Sequence, residues 1–311
     1  MTKRKTKIFQ ISILIVVILF GALTTIYGMT KPREGDPCVT TGHLERYADF
    51  HSRFVEPRTV TVWLPDGYEK GDSCDVVYMH DGQMLFDATT SWNHQEWMVD
   101  EVFGRLIAQD SIRRCIVVGI DNTGNRLCEF FPSKCRQYVA SEARDCKEAK
   151  MFLGDEYLRF IVEELKPFID SKYKTHPQCE HTFIMGSSMG GLISLYALCE
   201  YPEVFGGAAC LSSHLSMYGL FSDNKELWAN AFRDYVSEHL PAPNSRLVYM
   251  DHGTETIDAD YGPYQEKIDM VFKDKGWDST HFKSLVFNGH AHMEKDWAKR
   301  LHQPLYFLLK K

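Results

Sequence analysis

One short segment near the middle of the chain constrains the fold more strongly than any other. An apolar, β-rich run at 181–185 leads into Gly186-Ser-Ser-Met-Gly190, and an apolar helical pattern follows. A Gly-x-Ser-x-Gly between a strand and a helix is typical of a nucleophile elbow, in which the serine lies at the tip of a sharp turn. Glycines allow such a turn because they carry no Cβ. The segment predicts a reactive hydroxyl at Ser188; the alternative is a plain Gly/Ser-rich turn.

Short apolar strands alternate with helices along most of the chain. The patterns predict strands at 59–64, 76–79, 116–120, 205–211, 247–250 and 282–287, and helices at 97–107, 153–173, 225–235, 264–272 and 297–309. This alternation implies a mostly parallel sheet with helices on both faces. Together with the elbow at Ser188, this sheet leads us to expect an α/β-hydrolase fold, with one catalytic domain over 36–311. The weakly periodic, charged stretch 122–150 is interpreted as a functional loop or lid.

The N-terminus has a different character from the rest. Lys3-Arg4-Lys5 and Lys7 precede an uncharged apolar run at 8–30. At about 1.5 Å per helical residue, this run can cross a bilayer core of roughly 30 Å. The positive flank favours a cytoplasmic N-terminus. Residues 1–35 are thus expected to be a signal anchor or a signal peptide with its linker, and the catalytic domain to be periplasmic or at the cell surface.

The composition excludes some classes of function. The chain of 311 residues is 44% hydrophobic and 25% charged, and its formal net charge of −7 disfavours a nucleic-acid partner. The cysteine count of nine is odd. Cys115, Cys199 and Cys210 fall in apolar patterns and are expected as buried thiols, whereas Cys128, Cys135 and Cys146 share a polar stretch where two could form a disulfide.

Two late loops supply the partners that a serine nucleophile needs. In α/β-hydrolases the acid and then the histidine follow the serine along the chain. Asp251, Glu255 and Asp258 follow the strand at 247–250, and His290 and His292 follow the strand at 282–287. The residues alone leave both the acid and the base open. The two histidines could also be half of a zinc site, but no third ligand has suitable spacing. No metal and no cofactor are therefore expected.

An oxyanion hole needs two backbone donors. The amide of Met189, directly after the nucleophile, is the first candidate. The second should come from a loop after an early strand, where His80-Asp81-Gly82-Gln83 lies. A simple Asp-Gly turn is the structural alternative for that loop.

Five stretches together resemble a known family. They are residues 77–87 (VYMHDGQMLFD), 117–122 (VVGIDN), 186–191 (GSSMGG), 251–258 (DHGTETID) and 289–301 (GHAHMEKDWAKRL). The chain is similar in them to the esterase D and enterochelin-esterase-like family of α/β-hydrolases, as a membrane-anchored or exported bacterial member. The resemblance extends over about 58–309.

The resemblance implies roles for individual residues. Ser188 matches the nucleophile, and the terminal motif favours His292 as the base, with His290 as the alternative. The late acidic loop favours Asp258 as the acid, with Glu255 as the alternative.

The resemblance also bears on the oxyanion hole and on substrate contact. The Asp-Gly-Gln loop implies that the amide of Gln83 is the second oxyanion donor, beside that of Met189. Asp81, Arg126 and Glu129 are candidates for substrate contact, for which a surface ion pair is the ordinary alternative. The sequence departs from the family pattern at Met84, where Asn is usual, and at His290, where a small residue is common.

Several functions fit these residues. The resemblance implies a serine carboxylic-ester hydrolase that works through an acyl-enzyme, on acetyl or feruloyl esters of carbohydrates. The same residues could hydrolyse an enterochelin-type siderophore ester or a small thioester, or act as an acyltransferase. A non-enzymatic binding scaffold would predict a broken triad. The expected partners are a small-molecule or glycan ester and, through the N-terminal segment, a membrane.

Overall fold

A computed structural model of the protein describes residues 35–139, 152–217 and 224–311. In these residues eight strands form one sheet. The strands are β1 (His43–Phe50), β2 (Arg58–Leu64), β3 (Asp75–His80), β4 (Cys115–Ile120), β5 (Thr182–Ser187), β6 (Gly207–Leu211), β7 (Leu247–Gly253) and β8 (Phe282–Phe287). Their order is β1-β2-β4-β3-β5-β6-β7-β8. The six strands β3 to β8 pair in parallel with their neighbours. At one edge, β2 pairs antiparallel with β4, and β1 pairs antiparallel with β2. The expected mostly parallel sheet is confirmed.

Helices cover both faces of this sheet. They are α1 (Val99–Ala108), α2 (Arg126–Glu129), α3 (Gly154–Arg159), α4 (Lys166–Lys172), α5 (Met189–Glu200), α6 (Lys225–His239), α7 (Gly262–Asp274), α8 (Glu294–Arg300) and α9 (His302–Leu308). Successive side chains of a strand point to opposite faces. Val76 and Tyr78 accordingly pack into a core that includes residues of α3 to α7. Val77 and Met79 pack into a second core with residues of α1, α8 and α9.

The helix expected at 153–173 is interrupted. Between α3 and α4, Phe160–Leu165 is π-helical, and the next turn contains a proline near its start. Pro167 has no N–H to donate to the preceding turn, so the regular hydrogen-bond pattern is broken there. The strand β1 was not predicted from the sequence. It is an edge strand with mixed exposure, so the alternation that marks a half-buried strand is weak.

The charged segment 122–150 is partly anchored in the core. Phe130 and Phe131 are fully buried, so residues 122–139 are held against the body of the domain; residues 140–151 lie outside the described ranges. Cys128 and Cys135 are free thiols, and the expected buried thiols Cys115, Cys199 and Cys210 are confirmed. Cys146 lies outside the described residues.

The apolar run at 8–30 that predicts a membrane or signal segment also lies outside the described residues. Of the helices in the described ranges, none combines the length and the apolar composition needed to cross a bilayer.

Candidate active site

Ser188 lies at the turn between β5 and α5, at the carboxyl edge of the sheet. Its backbone has φ 57° and ψ −122°, a sparsely populated conformation that costs of the order of 1–3 kcal/mol for a residue with a side chain. The Ser188 amide donates to the carbonyl of Leu211 at 3.0 Å, which ties the turn to the end of β6. The elbow predicted from the motif is therefore present, and the surrounding structure maintains its strain.

The glycine before the nucleophile is required by a close contact. A Cβ at Gly186 would lie 2.8 Å from Cδ2 of His80 and 2.9 Å from the backbone of Gly190. His80 is itself buried, and its Nδ1 is 2.8 Å from the hydroxyl of Tyr157. Burial lowers the pKa of His80 to about 3. A neutral imidazole thus packs beneath the elbow, and no larger residue fits at position 186.

Asp258 and His292 form a hydrogen-bonded pair beside this turn. Nδ1 of His292 donates to Oδ1 of Asp258 at 2.6 Å, and the Asp258 side chain has no exposed surface. The structure thus brings together the acid and the base favoured by the family resemblance. Because Nδ1 is bound to the carboxylate, Nε2 is the nitrogen of His292 left to exchange a proton with a substrate or a hydroxyl.

The second oxygen of Asp258 is also fully used. Oδ2 accepts from the Gly253 amide at 2.7 Å and from the Ser212 hydroxyl at 2.5 Å. Burial alone would raise the pKa of Asp258, but the hydrogen bonds from His292, Ser212 and Gly253 outweigh it and hold the pKa below its usual value. The carboxylate therefore stays ionised at neutral pH and keeps His292 in one orientation.

Ser212 connects this pair to two residues of α8. Its hydroxyl accepts from Nε1 of Trp297 at 3.0 Å and from Nη2 of Arg300 at 2.7 Å. Arg300 in turn pairs with Asp251 at 3.0 Å, with both side chains almost fully buried. The alternative acid Asp251 is therefore engaged away from His292.

Sequence reasoning assigned no role to Ser212, Trp297 or Arg300. The one available signal was the position of Ser212 directly after β6, at the same edge of the sheet as the elbow.

A cleft with a volume of about 630 Å³ opens over the elbow. Ser188, His292 and Gln83 line it together with an aromatic wall. That wall is formed by Trp92, Trp97 and Trp297. The predicted nucleophile, base and oxyanion loop thus face one cavity, and this cavity is within the usual size range for small-molecule sites.

The two predicted oxyanion amides belong to loops that meet at the cleft. Among the described residues, neither the Gln83 nor the Met189 amide donates a hydrogen bond to another protein group. Met189 opens α5, where the first amides of a helix have no intrahelical acceptor. Its side chain is buried in the core, so only its main chain is available for this role.

Asp81 and Arg126 line the cleft but pair with each other. Nε and Nη2 of Arg126 donate to the two carboxylate oxygens of Asp81 at 2.7 and 2.8 Å. Nδ2 of Asn122 donates a hydrogen bond to Oδ1 of Asp81 at 2.5 Å. The backbone amide of Asn122 donates to the side-chain oxygen of Gln83 at 3.1 Å. Burial would raise the pKa of Asp81, but Arg126 outweighs it and holds the pKa below its usual value. These groups hold the oxyanion loop in place as well as lining the cleft.

Glu129 does not lie at the cleft. Its side chain is 1% exposed and forms a buried ion pair with Arg58 at 2.7 Å. The expectation that Glu129 contacts substrate is therefore corrected: the carboxylate compensates a buried guanidinium.

The alternative acid and base also lie apart from the pair. Glu255 is exposed, and Nδ1 of His290 accepts from Nη1 of Arg300 at 3.3 Å. Neither residue is among those that line the cleft.

A comparison with protein-family models identifies the chain. The model described as "Putative esterase" matches residues 52–307, which include the whole site. The chain belongs to the esterase family. This match confirms the esterase-family resemblance stated from the five sequence stretches.

Individual relatives of this esterase-family chain are distant. The chain is 23% identical over 258 residues to the uncharacterized protein YbbA of Bacillus subtilis, a match that covers 81% of this chain and 92% of YbbA. It is 29% identical over 152 residues to a siderophore enterobactin esterase of Emericella nidulans, covering 46% of this chain and 47% of that protein.

Solved structures of similar fold include two esterases. A ferulic acid esterase superposes with a TM-score of 0.64 at 19% identity, covering 88% of this chain and 99% of its own. The enterobactin esterase FES from Shigella flexneri superposes with a TM-score of 0.63 at 16% identity, covering 90% of this chain and 63% of its own. At these identities the likeness establishes a shared fold.

Proposed function

We propose that this chain hydrolyses carboxylic esters through an acyl-enzyme formed on Ser188. The observation that carries the proposal is the strained elbow at Ser188 in a cleft that His292 also lines, with His292 hydrogen-bonded to a buried Asp258. Membership in the esterase family supports the same reaction.

The proposed mechanism follows from the pairing of His292 Nδ1 with Asp258, which leaves Nε2 to exchange a proton. Nε2 of His292 takes the Ser188 proton as the hydroxyl attacks the ester carbonyl, while Asp258 stabilises the imidazolium. His292 then protonates the leaving alcohol, and water hydrolyses the acyl-enzyme by the same steps in reverse order. The amides of Gln83 and Met189 donate to the oxyanion of each tetrahedral intermediate, a contribution of the order of 10²–10³ in kcat for a single donor.

The direct test is hydrolysis of p-nitrophenyl acetate by the full-length protein in detergent, combined with labelling by a fluorophosphonate. We expect turnover, and a label on Ser188 in the tryptic digest. A protein with no turnover and no label at Ser188 would contradict the proposal and favour a binding scaffold.

The Asp258→Asn variant should lower kcat by roughly 10³–10⁴-fold, because an amide at this position no longer holds His292 in the productive tautomer. Glu255→Gln removes the alternative acid from the same loop and is the matched control; its kcat should stay within about twofold of wild type. Steady-state kinetics on p-nitrophenyl acetate measures both. Loss of activity in Glu255→Gln with retention in Asp258→Asn would reverse the assignment of the acid.

The aromatic wall of the cleft supports a substrate with a flat ring face. Trp92 is 79% exposed at the cleft, where an indole can stack on a sugar or on an aromatic acyl group. Similarity to a ferulic acid esterase and to enterobactin esterases also supports a substrate that carries a flat ring. We therefore propose acetyl or feruloyl esters of carbohydrates as substrates. A panel with feruloyl sugars, acetylated xylan, a cyclic catecholate ester and a thioester tests this choice, and an added sugar acceptor detects acyl transfer.

Removing the exposed indole should weaken binding of ring-bearing substrates. Trp92→Ala is expected to raise KM for a feruloyl sugar by roughly three- to tenfold, since one aromatic contact contributes about 0.5–1.5 kcal/mol beyond its buried area. The value of kcat on p-nitrophenyl acetate should change little. Tyr306→Ala, which removes an exposed aromatic residue away from the cleft, is the control. An unchanged KM in Trp92→Ala would remove the indole from the substrate site.

We also propose that the catalytic domain acts outside the cytoplasm. The support is the basic cluster at Lys3–Lys7 followed by the uncharged run at 8–30. Protease accessibility of the domain in intact cells, compared with lysed cells, tests the location.

A further inference from the structure

Three carboxylates lie together at the start of α1, close in the sequence to Trp97 of the aromatic wall. One carboxylate oxygen each from Glu96, Asp100 and Glu101 lies within 4.8 Å of the other two. Asp100 and Glu101 occupy the first turn of α1, and Glu96 lies just before it. This cluster is separate from the groups that surround Ser188.

Each of the three carboxylates has a buried oxygen without a hydrogen-bond partner. These atoms are Oε2 of Glu96, Oδ1 of Asp100 and Oε2 of Glu101. Asp100 is 0% exposed. Its Oδ2 accepts from the amide and hydroxyl of Thr40 at 2.6 and 3.0 Å, so the carboxylate is held in place while Oδ1 remains unpaired. A buried unpaired carboxylate oxygen is costly, and one cation placed among the three would pair them all.

The protein supplies no counter-charge to this cluster. Among the described residues, no ion pair joins any of the three carboxylates to a lysine or arginine. The N-terminus of α1 offsets part of the negative charge, but it gives no donor to the three unpaired oxygens.

We propose that Glu96, Asp100 and Glu101 bind one calcium ion. Ca²⁺ takes oxygen ligands at about 2.3–2.6 Å, so two ligands of one ion lie at most about 4.6–5.2 Å apart. The 4.8 Å limit that encloses the three oxygens meets this condition. Carboxylates and water fill the coordination of such a hard ion, whereas zinc prefers nitrogen and sulfur. The sequence led us to expect no metal, because no third ligand of suitable spacing accompanies His290 and His292.

The ion would brace one wall of the cleft. Glu96 lies between Gln95 and Trp97, which both line the cavity above Ser188. The Trp97 amide donates to the carbonyl of Met84 at 3.0 Å, next to the oxyanion loop. An ion that links Glu96 to the first turn of α1 therefore fixes the position of Trp97, and so adjusts the cleft without contacting the substrate.

The test uses the full-length protein, treated with EGTA and dialysed, and then titrated with CaCl₂ by isothermal calorimetry. We expect one saturable site per chain and a rise in Tm of roughly 5 °C or more at a concentration about a hundredfold above Kd. Glu96→Gln and Glu101→Gln should each weaken the affinity by about tenfold or more, since affinity follows the number of ligand charges. Glu203→Gln, an exposed glutamate elsewhere on the surface, should bind as wild type does.

Hydrogen exchange gives a readout that is independent of activity. Added Ca²⁺ should slow exchange in residues 86–101 of the wild type, and Glu101→Gln should need a higher Ca²⁺ concentration to show the same slowing. The absence of any saturable heat or Tm shift up to millimolar CaCl₂ would overturn the proposal, as would wild-type affinity in both Glu96→Gln and Glu101→Gln. Preference for MgCl₂ at matched ionic strength would overturn the identity of the ion.

Discussion

Replacing Ser188 by alanine should lower kcat on p-nitrophenyl acetate by roughly 10⁵- to 10⁶-fold, which is the scale of loss for the nucleophile of a serine hydrolase. The variant keeps the elbow, because alanine removes only one hydroxyl from a backbone fixed by the Leu211 carbonyl. A small residual rate over water is expected from the oxyanion amides. The fluorophosphonate label should be absent from the intact-protein mass spectrum.

The neighbouring serine provides the matched control. Ser187 precedes the nucleophile in the same motif and also lines the cleft. Ser187→Ala should retain labelling and most of the turnover, because its hydroxyl is not at the tip of the turn. Full turnover in Ser188→Ala, or loss of labelling only in Ser187→Ala, would show that the nucleophile is misassigned.

Replacing His292 by alanine should cost roughly 10⁴- to 10⁶-fold in kcat, since the serine hydroxyl is a weak nucleophile without its base. The Asp258 carboxylate would then lose one of its three hydrogen bonds. Steady-state kinetics from pH 5 to 9 measures the loss, and circular dichroism shows whether the variant is folded.

His290 lies two residues away and provides the control for this variant. Its imidazole contacts Arg300 and not Asp258, so His290→Ala should keep kcat within about threefold of wild type. If His290→Ala lost activity while His292→Ala kept it, the base would have to be reassigned, and the Asp258–His292 pair would be structural.

Most strands were predictable because each is a short run of β-branched or apolar residues that is buried on both faces, as in β2 to β7. Thr59–Leu64 and Val76–Met79, for example, fall within β2 and β3. The edge strand β1 was not predictable, since its residues are half exposed and its pattern depends on pairing with β2. The break at Phe160–Leu165 was missed because an amphipathic pattern continues through a π-helical turn.

The residues of the candidate site also fall into two groups: those that the sequence could name and those that it could not. The elbow and the oxyanion loop each lie within one short motif, so their residues could be named from the sequence. Glu129 was misjudged because a charged residue in a polar segment is usually exposed, whereas here Arg58 compensates it in the core. Ser212 and Arg300 had no local signal at all, because their role depends on contacts with Asp258 and Asp251.

By itself the sequence determined the elbow at Ser188, the order of acid and base along the chain, and membership in the esterase family. These depend on local patterns and on short motifs. Only the tertiary structure decided that Asp258 meets His292 and that Glu129 is buried against Arg58. The physical reason is separation: Asp258 and His292 are 34 residues apart, and Arg58 and Glu129 are 71 apart. Contacts over such distances are set by how the sheet and its helices pack.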